Sequence, residues 1–251
     1  EVVKIALDAD PGCMVVPAHA WTPWFSVFGS ESGFDSLEEC FEELAPHIHA
    51  VETGLSSDPP MNWQLSGLDK VMLISNSDAH GVRNLGREAN AFDLETLSYD
   101  GIMDVLRKRD RAKFLYTIEF FPEEGKYHVD GHRACDFFCE PEETARRGGI
   151  CPKCGKGLTR GVLGRVHALG DRPYGTVPKS MTQYKRIVPL EEVIGEAVGK
   201  GRASKAVFSL YKELIGKVGP EFDVLLDAPL EQVAAASVAM VFFTRPTSSF
   251  A

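Results

Sequence analysis

Four side chains with the chemistry of metal ligands stand at the ends of short apolar runs. Met14-Val15-Val16-Pro17-Ala18 leads into His19, Ile48-His49-Ala50-Val51 into Glu52, and Val71-Met72-Leu73-Ile74 into Asp78-Ala79-His80. Runs of this kind predict short buried strands. Residues two apart on an extended chain point the same way, so Asp78 and His80 would present an oxygen and a nitrogen together at a strand end. Mixed donors of this type suit zinc, manganese or magnesium, ions that acidify a bound water and clamp phosphate oxygens. His19, Glu52, Asp78 and His80 are therefore the candidate catalytic and metal-ligating residues. His47, His49 and His167 lack such a setting and read as packed histidines.

A second set is built on sulfur. Cys151-Pro-Lys-Cys154-Gly155 places two thiolates at i and i+3, a spacing that lets both reach one ion across a tight turn. Tetrahedral zinc needs two more ligands. His132-x-x-Cys135 has the same spacing, and Cys139 and His128 compete for the fourth place. A site closed by four protein ligands is structural rather than catalytic. Six cysteines in 251 residues, four of them between 135 and 154, suit metal binding in a reducing, cytoplasmic setting better than a disulfide scaffold.

The elements that would position these residues alternate. Helices are expected over 1–10, from Ser36 to about Leu44, near 61–66 and over 100–109. Strands are expected at 13–18, 48–52, 71–75 and 115–121, with an aromatic loop over 21–34. Alternating helices and strands predict a parallel sheet or barrel, whose active site lies where the strand C-termini converge. Periodic apolar content fades from about residue 125. It returns as three helices, at 189–198, 203–218 and 227–240, with Gly199-Lys200-Gly201 between the first two in the manner of a helix-hairpin-helix turn. The expected organisation is a barrel portion over 1–124, a zinc-binding module over 125–187 and a helical domain over 188–251.

The net charge of −9 conceals a segregation. Residues 1–100 carry 17 acidic and 4 basic side chains, whereas residues 101–220 carry 15 and 22. An acidic first part suits cations, and a basic second part suits an anionic polymer. Arg160, Arg165, Lys185, Arg186, Lys200 and Arg202 are candidate phosphate contacts, and Trp21, Trp24 and Phe25 are candidates either to stack on a damaged base or its neighbour or to anchor their loop against the barrel. Transmembrane helices need about 18 or more apolar residues in a row, and this chain has no such run.

The segments PAHAWTPWFS (17–26), VETGLSSDP (51–59), SNSDAH (75–80) and LGREAN (85–90) resemble the second half of a polymerase-and-histidinol-phosphatase (PHP) metallophosphoesterase domain. EGKYHVDGHRAC and CPKCGKGLTRGV resemble the zinc-bearing PHP proteins typified by endonuclease Q. The resemblance implies an α/β fold: a partial, distorted β/α barrel, then a zinc module, then a helical C-terminal domain. It implies a metal-dependent hydrolase that nicks DNA 5′ of deaminated or abasic nucleotides, with replication or repair proteins as further partners. His19, Asp78 and His80 fall on ligand positions of the family, Glu52 less firmly. The family's opening His-x-His is absent, so the chain reads as an N-terminally truncated fragment that could be inactive alone. The competing expectations are a PHP phosphatase acting on a small phosphomonoester and a non-catalytic zinc-bearing nucleic-acid-binding fragment.

Overall fold

The structure, a computed structural model, describes residues 1–236. The chain divides into two compact units, Glu1–Arg186 and Ile187–Ala251.

In the first unit, helix α1 (Val2–Ala9) buries Val3. Helix α2 (Leu37–Phe41) begins at Ser36, whose hydroxyl accepts the Glu39 N–H, while the Glu39 carboxylate accepts the Asp35 N–H. This is a reciprocal cap of the kind that marks a helix start. The helix is shorter than expected because Glu42 takes φ 51°. Strands β1 (Ala50–Glu52) and β2 (Met72–Ile74) pair in parallel. Both faces of this pair are covered. Ala50, Met72 and Ile74 meet Val105 and Leu106, and Val51 and Leu73 join Trp21, Phe28, Val162 and Val166. Burial on both faces is what a continuous apolar strand implies.

The strand expected at 13–18 does not form. Its backbone lies beside β1, with Glu52 N–H donating to Pro17 O and Ala20 N–H to Glu52 O. Pro17 has no N–H to return, so no ladder develops.

Between β1 and β2 sits α3 (Pro59–Asn62), capped by Asp58. After β2 come β3 (Ala89–Phe92), α4 (Tyr99–Lys108) and β4 (Phe114–Glu119). Strand β3 was not legible and pairs antiparallel with β4. The Asn90 side-chain amide stands in for a strand backbone: it accepts the Ser75 N–H at 2.9 Å and donates to Ser75 O at 2.7 Å. The end of β2 is thereby tied to β3.

Residues 125–186 belong to the first unit. A small antiparallel pair, β5 (Asp130–His132) and β6 (Phe137–Cys139), precedes helices α5 (Pro141–Arg146) and α6 (Val162–Leu169). Val162 and Val166 of α6 enter the same core as Trp21 and Phe28. Strand β7 (Tyr184–Arg186) then completes a sheet in the order β3-β4-β7. The architecture is mixed α/β, and no closed barrel is formed among the described residues.

The second unit comprises α7 (Leu190–Val198), α8 (Lys205–Lys217) and α9 (Leu230–Ala236) around Leu190, Ile194, Val207 and Leu214. The part of the expected third helix from residue 237 to 240 lies outside the described residues. No helix of the described residues is long and apolar enough to cross a membrane.

Candidate metal centre and catalytic cavity

The sulfur site is assembled by two short local devices. His132 ends β5, and Cys135 follows in a single 3-10 turn closed by Asp136 at φ 46°. Cys151 and Cys154 sit in a knuckle where Gly155 N–H returns to Cys151 O and Cys151 N–H reaches Lys156 O. Gly155 holds φ 74°, which only glycine adopts without strain. Lys153 staples the two devices by donating to Cys135 O at 2.8 Å and Asp136 O at 3.0 Å. The ligand atoms of His132, Cys135, Cys151 and Cys154 all lie within 4.8 Å of one another. The competing ligands are engaged elsewhere: His128 donates to Ser56 O, and the Cys139 thiol lies 3.3 Å from the Thr144 hydroxyl.

The thiols are electrostatically coupled. Hydrogen bonding with Cys154 pushes Cys135 up to about 11. At Cys151 burial raises the value, but N–H groups of Lys153 and Cys154 and the neighbouring thiols outweigh it and bring it below the ordinary thiol range. Three thiols and an imidazole crowded together fit a single soft cation, which takes the place of the protons on the ligating thiols.

The second site is a cavity of about 670 Å³ lined by His19, Glu52, Asn76, Asp78 and Arg87 on its polar side. Glu52 ends β1 and is gripped from two directions: Oε2 accepts the His19 N–H at 2.6 Å and Oε1 accepts Asn76 Nδ2 at 2.8 Å. Gly54 packs so closely that a Cβ there would sit 2.9 Å from His19 Cα. His19 takes φ 32° and Asp78 φ 43°. Left-handed backbone at non-glycine residues concentrates at functional sites. Arg87 donates to Ser77 O at 2.8 Å and so holds the turn that carries Asp78.

The left-handed Asp78 corrects one expectation. Strand β2 stops at Ile74, so period-2 alternation does not carry on to Asp78 and His80. His80 is exposed, with Nδ1 2.9 Å from Asp78 O and 3.9 Å from Asp78 Oδ1, and it does not line the cavity. Among the described residues, the Cys/His quartet is the one group of three or more such ligands drawn together. His19, Glu52, Asp78 and His80 share a neighbourhood but do not close on one point.

Behind the cavity lie carboxyls that sequence reasoning missed. Burial pushes Glu88 up to about 8, opposed by the Phe120 N–H and reinforced by Glu52 and Asp78. Glu119 is fully buried, and burial followed by Glu88 raises it well above the ordinary range. It accepts Thr53 Oγ1 at 2.9 Å. A lone charge inside the apolar run Leu115 to Phe121 was the available signal. Asp58 is also fully buried, where it pairs with Arg186.

That pairing corrects a further expectation, because Arg186 is spent on the interior rather than on a phosphate. Arg165 is similar: its guanidinium bonds Phe28 O, Phe34 O and Asp35, fixing the aromatic loop to α6. Arg202 pairs with Glu192. Trp21 is 1% exposed, stacks on Phe28 and donates to Asn62 Oδ1 at 2.7 Å, so it is a core residue and meets no base. Trp24 remains 43% exposed, edge-on to Tyr127. Arg160 and Lys200 are exposed, and Lys185 lies over the Tyr116 ring.

Residues 189–241 match the family described as the MJ0043 C-terminal domain. The chain is 34% identical over 224 residues to the uncharacterized protein MJ0043 of Methanocaldococcus jannaschii, covering 86% of this chain and 27% of that protein. It is 33% identical over 187 residues to the uncharacterized protein YqxK of Bacillus subtilis, covering 74% of this chain and 46% of that one. Two solved structures are similar at 31% identity. One is the lesion-specific endonuclease PfuEndoQ from Pyrococcus furiosus, with a TM-score of 0.82 over 95% of this chain and 58% of that one. The other is Endonuclease Q in complex with a 27-mer duplex bearing an abasic lesion at the active site, with a TM-score of 0.83 over 96% and 61%. The chain thus spans between about a quarter and three fifths of the length of these relatives, and its fold is similar to that of endonuclease Q over nearly its whole length.

Proposed function

We propose that this chain is part of a PHP-type phosphodiester hydrolase that nicks DNA 5′ of a deaminated or abasic nucleotide. The observation that carries this is the strained, acid-and-histidine-lined cavity of His19, Glu52 and Asp78, set in a fold similar to a protein that holds an abasic duplex at its active site.

The chain's own residues bind and orient. Arg87 and Lys126 bring positive charge to the cavity wall. Exposed Arg160 and Lys200, with Lys185, are the remaining candidates for backbone phosphate, worth affinity but not sequence choice. Deaminated and missing bases leave the duplex stack at least cost, and Trp24 with Tyr127 offers apolar surface beside the cavity. Glu52 is held by His19 N–H and Asn76, so its carboxylate is fixed before any substrate arrives. A divalent zinc, manganese or magnesium ion is part of the proposal. The four expected ligands do not converge on one point, so His19, Glu52, Asp78 and His80 as arranged here do not make up a complete ligand set for it.

At the second site the donor set does fit. Three thiols and an imidazole within reach of one point suit tetrahedral zinc. When bound, that zinc would tie β5 to the 151–155 knuckle and take no part in cleavage. The proposal includes a cytoplasmic, reducing location, consistent with six free thiols.

The test is a duplex carrying deoxyinosine, uracil or an abasic site, offered with manganese or magnesium. A nick 5′ of the lesion, absent on undamaged duplex, is expected of the protein that contains this chain. No lesion-dependent nick would remove the proposal. The outward His80 supports a second reading for the chain alone, in which it binds DNA in a salt-sensitive manner without cutting.

A further inference from the structure

Phe25 is 93% exposed, the most exposed aromatic ring among the described residues. It also holds φ 59°, a left-handed conformation costly to any residue with a side chain. Neither property helps the fold: the ring buries nothing, and the backbone is strained. The strain is nevertheless well defended. Phe25 N–H donates to Ser32 Oγ at 3.0 Å, and Ser26 Oγ donates to Thr22 O at 2.5 Å. Phe28 N–H reaches Ala20 O, Glu31 N–H reaches Pro23 O and Phe34 N–H reaches Val27 O. Trp21 and Phe28 root the loop in the core, and Ser30 and Arg165 bind it to the 160–165 segment. An exposed apolar ring on a rigid, strained loop is a preorganised contact rather than a loose end.

Its position names the ligand. Phe25 lines the same cavity as His19, Glu52 and Asp78. The loop is coupled to that site through Thr22, whose hydroxyl lies 3.2 Å from His19 Nδ1 and also donates to Trp24 O. A rigid apolar ring beside a site for phosphodiester chemistry, with Arg87 and Lys126 nearby, is suited to the face of a nucleobase, which stacks on aromatic rings without regard to sequence.

We propose that Phe25 is a specificity-determining wedge. It enters the gap left in the duplex when the lesion nucleotide swings out, and stacks on the base next to that gap. This rests on the lesion-endonuclease function proposed above. Insertion of apolar side chains between base steps offsets the cost of opening the stack, so the ring rewards only substrates whose gap opens cheaply.

The test uses the full chain and fluorescent 2-aminopurine placed beside an abasic site, measured without metal so that binding alone is read. Wild type is expected to bind this duplex more tightly than an undamaged one and to quench the probe. Phe25→Ala should lose affinity for the lesion duplex by about ten- to a hundredfold, and Phe25→Trp should keep it. The same lesion in a single strand, where no gap need be held, should bind wild type and Phe25→Ala alike. Because the ring is solvent-exposed, unchanged thermal unfolding of Phe25→Ala checks that the fold survives. Wild type lacking any preference for the lesion would remove the endonuclease proposal and the wedge with it. Wild-type preference retained in full by Phe25→Ala would remove the wedge alone.

Discussion

The two ligand sets of this chain are similar in chemistry and opposite in geometry. The sulfur set draws each pair of ligands from a four-residue stretch, His132–Cys135 and Cys151–Cys154, and its four donor atoms lie within 4.8 Å of one another. The carboxylate–histidine set draws on residues up to 61 positions apart; His19, Glu52 and Asp78 line one cavity, His80 lies outside it, and the four do not converge. In the first, a turn and a glycine bring two donors together before the rest of the chain has any say. In the second, Glu52 ends β1, Asp78 and His80 share the segment after β2, and His19 sits on an irregular segment, so their aim depends on how those pieces pack. Closure by local geometry suits a site that must hold; an open arrangement suits one that must admit a substrate.

The contrast can be broken by mutation. Asp78→Asn removes a cavity carboxylate that is exposed and held by its own turn. It should reduce lesion-dependent nicking at least a hundredfold while leaving thermal unfolding unchanged, since no core contact is lost. Cys151→Ser should do the reverse. Bound zinc should disappear, as read by metal analysis, and the unfolding temperature should fall by about 10 °C or more, because metal binding is coupled to folding. A chelator should reproduce that loss in wild type. If Cys151→Ser keeps its zinc, or Asp78→Asn unfolds, the separation into structural and functional sites fails.

The aromatic loop sharpens the same line at smaller scale. Trp21→Ala should cost about 3–5 kcal/mol of stability, as expected for a buried tryptophan, whereas Trp24→Ala should cost little stability and weaken DNA binding about tenfold. Denaturant unfolding and binding measured side by side distinguish the two.

Glu88 supplies a pH test of the cavity's rear wall. Its folded value of about 8 lies above the ordinary 4.5. The folded state therefore holds the proton more tightly, and the contribution to stability is full below about pH 4.5 and lost as pH rises through about 8. Glu119 acts in the same direction. Glu88→Gln should flatten the decline in unfolding temperature between pH 5 and 9, an effect of a few kcal/mol at most. An identical decline in the variant would show that Glu88 does not titrate there. The smallest effect belongs to the exposed cations: Arg160→Ala and Lys200→Ala should each lower the salt slope of DNA binding by about 1 with no change in lesion preference.

Short-range features were legible in the chain. The Ser36 cap, the apolar runs of β1 and β2, helices α4, α7 and α8, and the Cys151–Cys154 knuckle follow from spacings of a few residues, where backbone geometry leaves few alternatives. Even here Pro17 turned an apparent strand into an unpaired segment through one missing N–H. Strand β3 carries too few apolar residues to show a period; its antiparallel ladder to β4 makes it a strand, and Asn90 ties it to Ser75.

What only the tertiary structure decided is orientation and burial over long range. The sequence alone identified His19, Glu52, Asp78 and His80 as ligand types and Cys151 with Cys154 as a knuckle, with His132-x-x-Cys135 as the candidate second pair and Cys139 and His128 as its competitors. Packing decided that Asp78 turns left-handed while His80 faces solvent, that Trp21 is interior and Arg186 is committed to the buried Asp58, and that burial raises Glu88 and Glu119 above the ordinary carboxyl range. It also decided that Phe25, one of several aromatics in a single loop, is held out in water. The reason is physical: residue type and spacing act over a turn or two of chain, whereas burial, charge state and the direction of a side chain are set by neighbours that sequence distance does not reveal.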